Sequence, residues 1–135
     1  MIAIGDIHLH LICESRYRVD PGGVFGLVPR ALWSRYASVD DDHLMVMVST
    51  VLLAQTGGLN VLVDTGQGDR LSRRMLSYLR LERPGGGIAG ALGRLGLTPD
   101  DIHLVIDTHL HGDHCGGNTT HDAAGRLVPV FPNAE

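Results

Sequence analysis

Four side chains of the kinds that ligate metal ions, His109, His111, Asp113 and His114, fall within six residues of one another. They come directly after His103–Asp107, a short run that reads as a β-strand. In extended backbone, residues two apart point the same way, so His109 and His111 present two imidazoles to one point in space. Imidazole and carboxylate are ligands that zinc, iron and manganese accept. Gly112 and the pair Gly116-Gly117 supply the tight backbone path such convergence requires. The four side chains are therefore expected within a few ångströms of one another, at the end of a strand and the start of a helix.

The remaining sequence bounds what could surround that cluster. A chain of 135 residues is expected to form a single domain, 1–135. Its 11 basic residues are all arginine and stand against 15 acidic ones, for a net charge of −4, which gives no electrostatic case for a nucleic-acid or anionic-membrane partner. The apolar run Leu44–Ala54 is interrupted by Ser49 and Thr50 and falls well short of the ~20 residues that cross a bilayer. The first residues carry no basic region or cleavage site, which points to the cytoplasm. The two cysteines, Cys13 and Cys115, suit a reducing compartment as small packing residues.

Along the chain, Asp6, His8 and His10 alternate with Ile7, Leu9 and Leu11, so residues 2–12 read as one half-buried strand with its histidines on the solvent side. Leu44–Ala54 and Leu59–Val63 flank Gln55-Thr56-Gly57-Gly58 and are expected to pair antiparallel as a hairpin. In Asp69–Leu81, Leu71, Met75, Tyr78 and Leu79 share one helical face. Ile88–Leu97 reads as a weaker helix and Thr98-Pro99-Asp100-Asp101 as a short helical turn. Residues 20–35 have no evident regular structure, and Phe25 and Trp33 within them either fill a core or line a substrate pocket.

The segment Thr108–His114 matches Thr-His-x-His-x-Asp-His at every specified position, and an upstream strand ends in Asp64-Thr65-Gly66. With these motifs the chain resembles the metallo-β-lactamase superfamily. Gly116-Gly117-Asn118 and the stretch from Asp20 to Trp33 are similar to the branch holding quorum-quenching lactonases and methyl-parathion-type organophosphorus hydrolases. The resemblance implies an α+β fold, a four-layer αββα sandwich of which this chain supplies about the first half: one mostly antiparallel sheet with flanking helices. It implies two zinc ions, with iron or manganese as alternatives. His109 and His111 would hold one ion, Asp113 and His114 the second, and Asp64 would be a hydrogen-bond partner beside them. The implied activity is a metal-dependent hydrolase attacking an ester, lactone or phosphotriester of small size with a metal-bound hydroxide, Asp113 also orienting the nucleophile or moving its proton.

Members of that superfamily draw a third histidine, a bridging aspartate and a further histidine from their second half, and no counterpart follows His121 here. The expectation is a chain truncated at its C-terminus or completed by another: a homo-oligomer or a missing C-terminal half. The alternative is a non-catalytic chain with an incomplete site, acting as a subunit or fragment. In either case one sheet face should be left apolar and uncovered, a rare condition for soluble monomers.

Overall fold

The computed structural model describes residues 1–135. Five strands, β1 (Ile2–Ile4), β2 (Ile7–Val19), β3 (Met45–Thr56), β4 (Leu59–Val63) and β5 (Leu104–Ile106), form one sheet in chain order. The first four pair antiparallel, and β5 lies parallel to β4. A separate hairpin joins β6 (Thr119–His121) to β7 (Leu127–Pro129). The helices are short: α1 (Pro21–Phe25), α2 (Arg30–Trp33), α3 (Arg73–Leu79), α4 (Gly87–Arg94) and α5 (Gly112–Cys115).

The hairpin expected around residues 55–58 is present, and Gly57 and Gly58 both take positive φ, 55° and 81°. Such a two-residue turn twists with its strands, and glycine occupies it without a Cβ clash. Residues 2–12 are two strands instead of one, because the chain reverses at Gly5 and Asp6 and β1 folds back onto β2. The helix expected over 69–81 begins only at Arg73, where Ser72 accepts the Met75 N–H, and it closes on Arg80 in the left-handed conformation. Residues 20–35 are helical in two places, and the Asp20 carboxylate caps α1 by accepting the Gly22 N–H at 2.7 Å.

The crossover from β4 to the parallel β5 carries α3 and α4, and α4 lies across one face of the sheet. Ile12, Val51, Leu53 and Leu62 pack there with Ala91 and Leu92 of α4 and with Ile102 and Phe131. The opposite face is apolar and open: Ile2, Ile4, Ile7, Leu11, Val46, Val48 and Ile106 are all exposed, Leu11 by 68%. The register pairs Ile2 with Leu9, Leu11 with Leu52 and Leu52 with Val63, so these residues form one continuous surface.

This arrangement reverses the expected sides of β2. His10 sits opposite Leu53 on the covered face, with Nε2 buried and without a hydrogen-bond partner. Alternation identifies which residues share a face; which face is covered is decided by where α4 docks.

Candidate metal centre

The site forms where the neighbouring strands β4 and β5 end side by side. The turn after β4, residues 64–68, packs directly on the loop after β5. Thr65 and Gly66 both donate their N–H to the His114 carbonyl, at 2.6 and 3.0 Å, and the Gly117 N–H returns a bond to the Gly66 carbonyl at 3.2 Å. Gly68, Gly116 and Gly117 face backbone atoms of the opposing loop so closely that no Cβ would fit. The turn is also braced from behind. Glu14, 3% exposed, accepts the Gln67 N–H at 3.1 Å and pairs with Arg83 Nε at 3.0 Å, while Arg83 donates to the Gly68 carbonyl.

Asp64 heads this turn with φ 61°, a left-handed conformation uncommon for aspartate. Its Oδ1 accepts the Thr108 N–H at 2.8 Å, its Oδ2 accepts Nδ1–H of His114 at 2.8 Å, and the Thr108 hydroxyl lies 2.9 Å from both oxygens. Burial alone would raise its pKa, but the bonds from His114 and Thr108 outweigh that and hold the carboxyl below its usual range.

These bonds also set the neighbouring rings. A hydroxyl has one proton, and Thr108 gives it to Asp64, so the 3.1 Å approach of Thr108 Oγ1 to His109 Nδ1 makes that nitrogen the donor. His109 and His114 therefore both present Nε2 with a free lone pair. His109 Nε2 stands 3.1 Å from His111 Nδ1, and the His109 and His114 ring centroids are 3.9 Å apart. His114 Nε2 is 3.7 Å from Asp113 Oδ2. Asp113 is tied to the sheet at two points: Tyr17 donates its hydroxyl to Oδ2 at 2.9 Å and Ser49 donates to the main-chain carbonyl at 3.1 Å. Burial first, and then the Asp113 carboxylate, push the Tyr17 hydroxyl up to about 12.

The donor set suits a divalent cation. Two nitrogens each 2.0–2.1 Å from a tetrahedral zinc would lie about 3.3 Å apart, close to the observed His109–His111 spacing. Two ring nitrogens so near each other need an electrophile, a ring proton or a cation, to offset lone-pair repulsion. The side chains meet in pairs, however, and no group of three His, Cys, Asp or Glu closes into a complete cage.

The structure thus brings together His109, His111, Asp113, His114 and Asp64. The rings of Phe25 and Trp33 stack on each other at 5.1 Å between α1 and α2, and Trp33 lines a hollow with Asp20, Arg30 and His43. Tyr17, Ser49, Glu14 and Arg83 escaped the sequence reading. A signal for Tyr17 exists, since Arg16 and Arg18 alternate with Tyr17 and Val19.

Residues 44–130 match the model of the metallo-β-lactamase superfamily. The chain belongs to that superfamily. Among solved structures, this chain is similar to a probable metal-dependent hydrolase from Staphylococcus aureus, with 32% identity and a TM-score of 0.85 over 98% of the chain and 47% of that protein. A quorum-quenching N-acyl homoserine lactone lactonase is 29% identical, with a TM-score of 0.56 over 82% of the chain and 40% of that protein. AidC, a dizinc quorum-quenching lactonase, shares the fold at 24% identity and a TM-score of 0.65, over 98% of the chain and 42% of that protein. The chain spans less than half the length of each of these structures. No helix is long and apolar enough to cross a membrane.

Proposed function

We propose that this chain carries the first part of the active site of a metal-dependent hydrolase acting on a small ester, lactone or phosphotriester, with two zinc ions as its cofactor. The observation that carries the reading is the bond from His114 Nδ1 to Asp64. It fixes the ring's tautomer and leaves Nε2 free beside Asp113, the carboxylate–histidine arrangement that orients metal ligands. His109 and His111 would hold one ion, Asp113 and His114 the other. Bound there, such ions supply Lewis-acid polarisation and lower the pKa of a water from 15.7 toward about 7.

The chain's own residues do the rest of the work assigned to this half. Thr108 and Asp64 hold the rings of His109 and His114 in one orientation each, and Asp113, anchored by Tyr17 and Ser49, offers a carboxylate that can accept a proton from the attacking water or align it. The exposure of His109 and His111 leaves that water and a substrate free to approach. Each ion gains only two ligands from this chain where a catalytic zinc usually has three, so the other ligands belong to a remaining C-terminal half or to a second subunit. A cytoplasmic location belongs to the same proposal and is supported by two free, unpaired cysteines.

The test is zinc titration of the full product of the gene, followed by assays against a lactone, a phosphotriester and a β-lactam. Two ions per site, turnover of one substrate class, and loss of the first ion and of turnover on His111→Ala are expected. Absence of bound metal would overturn the reading in favour of a non-catalytic subunit.

A further inference from the structure

Tyr17 is buried, and its hydroxyl is the side-chain donor to the carboxylate of Asp113. Its aim depends on an irregularity in β2. The register with β3 shifts between Cys13 and Ser15, so that Ile12 faces Val51, Ser15 faces Ser49 and Tyr17 faces Met47. Glu14 is the extra residue. Strict alternation from Ile12 already points Glu14 inward, where it braces the 64–68 turn, but would have sent Tyr17 to the open apolar face; the bulge shifts the phase after Glu14 and turns Tyr17 inward to reach Asp113. Ser49, on the neighbouring strand, fixes the same aspartate through its carbonyl. Asp113 stands on a helix of only four residues, too short to hold a side chain by its own packing. Two strands thus converge on one aspartate.

Resting on the proposed metal site, we infer that Tyr17 is a positioning residue for the second ion: by occupying Oδ2 it sets the rotation of the Asp113 carboxylate and so the point at which Asp113 and His114 Nε2 meet a cation. The first ion, on His109 and His111, is independent of this bond. Outer hydrogen-bond partners of metal ligands typically contribute 10–100-fold in metal affinity.

The experiment uses the full product of the gene. Zinc uptake is followed by competition with a chromophoric chelator, and cobalt substitution reports the geometry of each site in the parent, Tyr17→Phe, Asp113→Asn and His111→Ala proteins. Tyr17→Phe should weaken the second equivalent about 10–100-fold, shift the cobalt spectrum of that equivalent only, and leave the first within about threefold. Unchanged affinity for both ions, or an equal loss at both, overturns the inference. If Tyr17→Phe does not fold in chelator, 3-fluorotyrosine placed at position 17 of the parent keeps the hydroxyl. Its fluorine resonance should hold still through the first equivalent and move with the second; a resonance indifferent to both overturns the inference. A parent that binds no metal, or whose uptake ignores His111→Ala and Asp113→Asn, instead removes the metal-site reading on which the inference rests.

Discussion

The two faces of the five-stranded sheet both carry long apolar side chains and meet opposite circumstances. Leu53 and Leu11 both project from long antiparallel strands, yet Leu53 is fully buried under α4 while Leu11 is 68% exposed. Hydrophobicity of a strand therefore does not measure its contribution to stability within this chain; the cover does. The open face also carries the alternating apolar residues of β2, whereas the covered one accommodates Ser15, Glu14 and His10, whose buried Nε2 has no hydrogen-bond partner. In this superfamily fold the open side is where a second sheet would lie, which accounts for a surface made of isoleucine, leucine and valine.

The sharpest way to break the comparison is truncation on the covered side. Leu53→Ala should destabilise the chain by about 2–5 kcal/mol, measured as a fall in urea midpoint at unchanged slope. Next, His10→Leu removes a buried nitrogen with no partner and should stabilise by about 1 kcal/mol, since leaving such a group unmet costs about 1–3 kcal/mol. The smallest effect belongs to Leu11→Ala, expected within about 0.5 kcal/mol of the parent. A loss at Leu11 as large as at Leu53 would mean that the open face is covered in solution, by self-association or by further chain. Light scattering and the binding of an apolar dye, both reduced by Leu11→Lys, separate those two cases.

Much of the site was legible because it is local. His109, His111, Asp113 and His114 lie in one short segment; the period of an extended chain was enough to pair His109 with His111, and Asp113 and His114 follow at once on α5. A hydrogen-bonding role for Asp64 beside the four side chains came from resemblance; its partners and its geometry, a left-handed aspartate bonded to Thr108 and His114, could not be read from a turn motif alone. The hairpin at Gly57-Gly58 was legible for the same local reason. The reach of Tyr17 to Asp113 was not, because alternation over Arg16–Val19 shows which residues share a face while the face itself depends on a one-residue bulge that shifts the phase of β2, and nothing in a period-two pattern marks where the phase will slip. Glu14 was not, because its partners Gln67 and Arg83 are remote in the chain. The sides of the sheet were misread because cover is a tertiary property.

The bond between Asp64 and His114 joins residues 50 positions apart, across a segment that includes both α3 and α4. Closing a loop of that length loses chain entropy before any contact rewards it, so pairings of this kind form late. Until the crossover has docked, nothing fixes the ring of His114, so for the proposed metal site the cost of orienting that ligand is met by folding of the whole chain, and zinc uptake should lag behind burial of α4 in a refolding experiment.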